Sequence, residues 1–260
     1  MTGHSDELVR ERRGPVLVVR LNRPEAHNQL THAMMCAIGA AVHGAESDPE
    51  VRAVVLTGAG ERTFCAGMDL RSFAEGKPPG SGTERDMEHY MRFMTGRTTV
   101  PLIGAANGTA LGGGFEVLLA CDLIVVSERA RLGLPEVKRG LFPAGGGAFV
   151  GTRIPMSAAL ELVMTGEPID AHRAYQLGLA NAVVPPDRVL ATALALAERI
   201  ADNAPLGVAA GRDLVRLSVA DMALATDRMS ELQQTVYGSE DAREGATAFV
   251  EKRKPVWKGR

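Results

Sequence analysis

Two spacings of apolar residue alternate along the first two thirds of the chain. Pro15 to Asn22 (PVLVVRLN) and Val51 to Thr57 (VRAVVLT) are short valine-rich runs of the kind that form buried strands. Between them, Thr31 to Glu46 carries Met34, Met35, Ile38 and Val42 at helical spacing, opens on a capping threonine and stops at Ser47-Asp48-Pro49. Strand, helix and strand with short joins predict an α/β layer. Further strand-like runs cover Pro101 to Ala105, Asp122 to Ser127 and Arg131 to Leu134, with helical patterns at Phe115 to Ala120, Gly145 to Gly151, Met156 to Met164 and Ala171 to Leu177. After Val183-Val184-Pro185-Pro186 the pattern is helical nearly to the end, over Asp187 to Ala204, Leu206 to Leu217, Ala220 to Tyr237 and Glu240 to Arg253. The expected organisation is an α/β core over residues 1–198 and a helical region over 199–260.

Two segments stand apart. Met1 to Gly14 mixes Asp6, Glu7, Arg10, Glu11, Arg12 and Arg13 without an apolar core, so it is no signal peptide and is expected to be a frayed, solvated lead-in. Glu75 to Thr83 (EGKPPGSGT) has the composition of a mobile loop. The helix predicted after it sets Met87, Tyr90, Met91 and Met94 on one face, which suits either a core stripe or an adaptable apolar wall for a ligand.

Charge and cysteine content narrow the classes. With 29 Lys+Arg against 31 Asp+Glu, the formal charge of −2 offers no basic field for nucleic acid or an anionic membrane. The most apolar stretch, Val117 to Val126, is short and carries Asp122, so no membrane span is expected. Cys36, Cys65 and Cys121 are isolated and odd in number, which speaks against a zinc site and a disulfide frame and for a reducing, cytoplasmic setting. No metal site is expected.

Glycine points to the chemistry. Eleven of the 29 glycines fall between Gly104 and Gly151, where an even spread would place about five. A glycine cluster at a helix start often binds phosphate. Here neither Gly112-Gly113-Gly114-Phe115-Glu116-Val117 nor Gly145-Gly146-Gly147-Ala148-Phe149-Val150 completes GxGxxG, and GxxxxGK[ST], GxSxG and HExxH are absent. The same backbone geometry can instead donate to the charge that builds on a carbonyl oxygen. A second donor is available in the small-residue turn Phe64-Cys65-Ala66-Gly67-Met68-Asp69-Leu70. Glu116 sits among Phe115, Val117, Leu118 and Leu119 just past the glycines, and Glu136 follows Leu134-Pro135. Each alone fits a capping acid or a helix-dipole partner. Together they fit an acid/base pair, because burial lifts a glutamate from about 4.3 towards neutrality.

These segments resemble the enoyl-CoA hydratase/isomerase (crotonase) family over most of the chain. Asn22-Arg23-Pro24-Glu25-Ala26-His27-Asn28 is similar to its opening motif, and the Phe64 to Leu70 turn to its first oxyanion loop. Asn107 to Glu116 (NGTALGGGFE) is similar to the second oxyanion loop, Pro135-Glu136 to the second glutamate motif, and Ala248 to Arg253 (AFVEKR) to the C-terminal signature. The resemblance implies a ClpP/crotonase-like spiral of ββα units followed by a C-terminal helical region that assembles a homotrimer or homohexamer. It implies an acyl-CoA substrate, no separate cofactor, and a place in fatty-acid or lipid metabolism. By position, the N–H groups of Met68 and Gly113 would form an oxyanion hole. Ala26, His27, Ala66, Gly67, Asp69 and Leu70 would line the CoA path, and Phe249 and Lys252 would reach CoA from a neighbouring subunit.

With both glutamate positions filled, the expected reaction is hydration of a trans-2-enoyl-CoA thioester, Glu116 acting as base on water and Glu136 delivering the proton to Cα. The chain departs from common hydratases at Gly145-Gly146-Gly147-Ala148-Phe149, where those carry a Gly-Gly-Thr-Gln-Arg-type segment. That places the segment as a wall near the acyl group and brings the resemblance closer to the branch acting on carnitine-type enoyl-CoA esters. Enoyl-CoA isomerisation by a single glutamate and a non-catalytic acyl-CoA-binding scaffold are the alternatives. Cys65 is expected to pack rather than react, and Asp122 to serve as a capping or turn acid.

Overall fold

The computed structural model describes residues 7–69 and 82–260. Leu8–Arg13 (β1) and Val16–Leu21 (β2) pair antiparallel, with Leu8 opposite Leu21 and Arg13 opposite Val16. The charged lead-in is therefore an edge strand from Leu8 onward, not a frayed end. Its backbone pairs with β2 while its charged side chains stay outside, so apolar alternation never announced it. Only Leu8 of the six side chains is buried.

The chain then deals its strands alternately to two sheets. Ala53–Gly58 (β3) is followed by Thr63–Cys65 (β4), Leu102–Ala106 (β5) by Thr109–Leu111 (β6), and Leu123–Ser127 (β7) by Arg131–Gly133 (β8). Ile169–Asp170 (β9) and Ala182–Val184 (β10) complete the set. The larger sheet has the order β1-β2-β3-β5-β7-β10, parallel after the first pair, and the smaller one β4-β6-β8-β9. Helices close the turns of this spiral: His32–Ser47 (α1) after β2, Glu84–Met94 (α2) after β4, Gly113–Ala120 (α3) after β6 and Met156–Thr165 (α4) after β8. Repeated ββα turns are the architecture expected.

Burial explains the continuous valine runs. In β3, Val54 and Leu56 join the core shared with Val19, Leu21, Leu102, Ile124 and Phe115. Ala53 and Val55 face the other way, onto Val16, Ile103, Ala105 and Val125. A helix at Val189–Ala201 covers that second face with Val189, Ala193 and Ala197; with Ala171–Gln176 as α5 it is α6. Strands covered on both faces need apolar residues at every position.

Three helices follow: Pro205–Ala220 (α7), Met222–Tyr237 (α8) and Glu240–Glu251 (α9). α6 runs unbroken past residue 198, and the chain breaks at 202–204 instead. α7 is tied to the core by ions rather than by grease. Asp122, just before β7, accepts from Arg212 Nε at 2.8 Å and Arg216 Nε at 2.9 Å, and also from the Leu102 N–H at 2.8 Å. Arg212 further donates to Thr98 through its carbonyl and hydroxyl. At the far end, Asp241 is 2% exposed and accepts from Lys258 N and Gly259 N, folding the terminal residues back on α9.

Removing one member of such a network strands the others without their counter-charge. Asp122→Ala should lower unfolding stability by about 3 kcal/mol, measured as a shifted urea midpoint. A loss below about 1 kcal/mol, the ceiling for an exposed pair, would show that the network does not anchor α7.

Candidate active site

The site begins with a turn held by asparagine. His27 and Asn28 both adopt left-handed backbone, φ +52° and +53°, a region that asparagine tolerates better than most residues. Asn28 is fully buried; its Oδ1 accepts from Arg23 N at 2.9 Å, and its Nδ2 donates to Ala59 O at 2.9 Å and Thr63 O at 3.1 Å. Asn107 grips the same β3–β4 connection, accepting from Gly58 N at 3.0 Å and donating to Gly60 O at 2.8 Å. The strand that leaves this clamp is then registered by backbone bonds, Ala66 N to His27 O at 3.0 Å, Leu30 N to Gly67 O at 2.8 Å and Asp69 N to Leu30 O at 3.1 Å. The Met68 N–H between them has no acceptor among the described residues.

A second orphan donor lies beside it. Gly112 has φ +54° and ψ −130°, a conformation closed to residues with a side chain, and its carbonyl accepts from Phe115 N and Glu116 N to open α3. Gly113, first residue of that helix, has an N–H with no acceptor among the described residues. A Cβ placed on Gly113 would sit 3.6 Å from Met68 N, and one on Gly67 would sit 3.4 Å from Gly113 N. Two unpaired N–H groups therefore meet at a helix N-terminus. The approach is possible because a Cβ on Gly114 would lie 2.2 Å from the Cys65 carbonyl oxygen, so any side chain there would push α3 off β4.

The two glutamates face this pair. Glu116, in the first turn of α3, is 7% exposed and accepts from Gly147 N at 2.9 Å. Burial pushes its pKa above the usual carboxylate range, against the opposing pull of the Gly147 and Gly145 N–H groups. A Cβ on Gly145 would lie 2.6 Å from Glu116 Oε2. The second glycine cluster thus wraps the carboxylate; Gly145 also lines the cavity. Glu136 sits in a short 3₁₀ turn, Pro135–Arg139, near Gly112, whose Cβ would be 3.1 Å from Glu136 Oε1. Burial raises its pKa as well, its own N–H opposes, the charge of Glu116 adds to the rise, and Arg139 pulls the other way. Its buried Oε2 has no hydrogen-bond partner among the described residues.

One cavity of about 940 Å³ collects these groups: Ala26, His27, Ala66, Gly67, Met68, Asp69, Gly113, Glu116 and Glu136 all line it. Leu70 lies outside the described residues. Phe249, 85% exposed, and Lys252, the left-handed cap of α9, do not line this chain's cavity. Met87, Tyr90, Met91 and Met94 all do, so the apolar stripe of α2 is a cavity wall while Phe93 takes the core position. Cys65 is wholly buried with its thiol pushed up to about 12 by burial, which leaves it unreactive. Asp122 lies in the α7 anchor, outside the cavity. Among the described residues no group of three or more His, Cys, Asp or Glu could hold a metal ion, and no helix is long and apolar enough to cross a membrane.

Two unpaired backbone donors and two buried carboxylates with raised pKa values thus share one cavity, an arrangement able to stabilise charge on a carbonyl oxygen while protons move nearby. The chain belongs to the enoyl-CoA hydratase/isomerase family, whose model matches residues 11–260. It is 38% identical to carnitinyl-CoA dehydratase of Salmonella typhi over 98% of this chain and all of that one. Enoyl-CoA hydratase from Mycobacterium tuberculosis H37Rv superposes with a TM-score of 0.91 at 38% identity, covering 98% of this chain and 100% of that chain. Carnitinyl-CoA hydratase from Mycobacterium avium is 44% identical with a TM-score of 0.77, over 98% and 99% of the two chains. The chain is thus a crotonase-family enzyme with the crotonase fold.

The raised glutamates carry a stability signature. A carboxyl whose folded pKa exceeds its unfolded one binds its proton more tightly in the folded state, so stability falls as pH rises from the unfolded towards the folded value. Glu116→Gln, which keeps the shape and an acceptor for Gly147 N, should raise the melting temperature at pH 8, by about 2–4 °C for each ~1 kcal/mol relieved. At pH 4 the two proteins should melt nearly together. An equal offset at both pH values would assign the gain to packing instead of charge burial.

Proposed function

We propose that the protein is an enoyl-CoA hydratase, adding water reversibly across the double bond of a trans-2-enoyl-CoA thioester. The observation that carries this is the meeting of the Met68 and Gly113 N–H groups with Glu116 and Glu136 in one cavity. The thioester oxygen accepts from both N–H groups. Glu116, as carboxylate, takes a proton from the water that attacks Cβ. Charge passes through the thioester to its oxygen, where the two donors stabilise the enolate, and Glu136 gives its proton to Cα. Dehydration of a 3-hydroxyacyl-CoA runs the same steps backwards. CoA itself is part of the substrate, and no other cofactor takes part. It runs past Ala26, His27, Ala66, Gly67 and Asp69, and Phe249 and Lys252 of a neighbouring copy close over it.

A carnitine-type acyl group is the second candidate substrate. Relatives named carnitinyl-CoA dehydratase and hydratase support it. So does the wall of Met87, Tyr90, Met91 and Phe142, because a trimethylammonium group binds well against aromatic faces and polarisable thioethers. The assembly proposed is a trimer or a dimer of trimers in a cytoplasmic setting. Exposed Val215, Val219, Met222, Tyr237, Phe249 and Val250 on α7 to α9 support it as apolar surface awaiting cover.

Incubation with crotonyl-CoA should bleach the enoyl-thioester absorbance, and a 4-trimethylammonio analogue compared on kcat/KM decides between plain and carnitine-type acyl groups. Isomerase activity alone would leave 2-enoyl esters unhydrated. Glu116→Gln and Glu136→Gln should each cut turnover by about two orders of magnitude or more with thioester binding nearly intact. Near-normal hydration by Glu136→Gln would sink its role as acid. The rate should climb with pH as Glu116 ionises and fall as Glu136 loses its proton, both limbs above the ordinary carboxylate range because both groups are raised. Sedimentation should give three or six copies of the 27.6-kDa chain.

A further inference from the structure

Tyr90 is a buried phenol with nothing to hold. It is 5% exposed, yet its hydroxyl has no hydrogen-bond partner among the described residues. Buried tyrosine hydroxyls ordinarily find one. Nor is the hydroxyl sealed off, since the sealed side-chain atoms without a partner among the described residues are His43 Nδ1, His89 Nδ1 and Glu136 Oε2, and it opens onto the cavity that Tyr90 lines. The residue is held rigidly. Its backbone presses on α1 at Gly39, where a Cβ would lie 2.4 Å from Tyr90 N, and its ring packs on Phe93 with centroids 6.1 Å apart.

Its place along the cavity is set by its neighbours. A Cβ on Gly146, in the glycine segment that wraps the Glu116 carboxylate, would lie 3.6 Å from the carbonyl oxygen of Met94, one turn along α2 from Tyr90. Tyr90 and Glu116 therefore line the same end of the cavity. We propose that Tyr90 donates its hydroxyl hydrogen bond to the oxygen at Cβ, whether water arriving or hydroxyl departing, and is a further catalytic residue of the hydratase reaction proposed above, on which this inference rests. Water held by one carboxylate can still rotate, and a second fixed contact aims its lone pair at Cβ. No proton leaves the phenol in the process; burial, with Cys65 and Glu116, holds its pKa far above that of a free phenol.

The test is Tyr90→Phe, which removes one oxygen and keeps the ring. Crotonyl-CoA hydration should fall about 10-fold or more in kcat with KM changed less than about twofold. A merely structural role would not distinguish ligands by their oxygen. In a Glu136→Gln background, which slows turnover, Tyr90→Phe should weaken binding of 3-hydroxybutyryl-CoA by about fivefold or more and leave that of butyryl-CoA, which has no oxygen at Cβ, unchanged. Tyr90→Met, of comparable bulk, repeats both comparisons independently of how the Phe variant folds. Wild-type hydration with kcat of the variants within twofold, or equal weakening of the two esters, overturns the role of Tyr90 alone. A wild type inert towards every enoyl-CoA overturns the hydratase activity itself, and the inference with it.

Discussion

The active site depends on one close contact, that of the α3 N-terminus with the backbone of β4. With Gly114 lying against the Cys65 carbonyl, the first turn of the helix and the Ala66-Gly67-Met68 turn share a single wall of the cavity. That contact puts Gly113 N–H beside Met68 N–H and, one turn along, swings Glu116 into the same space. A methyl group at position 114 would separate the helix from the sheet and would pull apart the two N–H groups and the Glu116 carboxylate together. The two asparagine clamps serve the same end from the other side, because Asn28 and Asn107 fix the connection from which β4 starts.

The electrostatics of the site follow from how little water reaches it. Burying two carboxylates near each other raises the free energy of their charged forms, and the fold offsets only part of this. Glu116 receives backbone N–H groups from a glycine segment that lies close because it has no side chains, while Glu136 keeps an unpaired oxygen. The two carboxylates are thus unequally satisfied, although burial raises both pKa values.

Much of this was legible in the chain, and the reasons for the gaps are physical. Apolar runs, valine-rich in β2 and β3, marked β2, β3 and β5 because both faces of that sheet are covered, and the ordered glycine and glutamate motifs led to the cavity residues. β1 was missed because an edge strand can be made of charged residues when only its backbone is needed. That Gly145 and Gly147 also cradle a carboxylate was not legible, since spacing along the chain does not reveal that a loop 31 residues on returns to Glu116. The stripe of α2 was ambiguous for a similar reason: methionines beside a cavity and methionines in a core have the same period. Asn28 closes the opening motif, but nothing in the motif shows its task, which only its left-handed backbone and threefold bonding reveal.

The α7 anchor has a consequence for the helix that carries Glu116. At eight residues, α3 is too short to hold its shape alone. Its N-terminus is pinned to β4, and its final carbonyls are pinned by cations: Leu119 O and Cys121 O by Arg153, both at 2.8 Å, and Ala120 O by Arg216 at 3.1 Å. Arg216 belongs to α7, so the helical appendage supplies one of the bolts on the far end of a short rod whose near end carries the unpaired Gly113 N–H. The short helix that carries Glu116 is thus fixed at both ends, and one of the far contacts comes from outside the spiral.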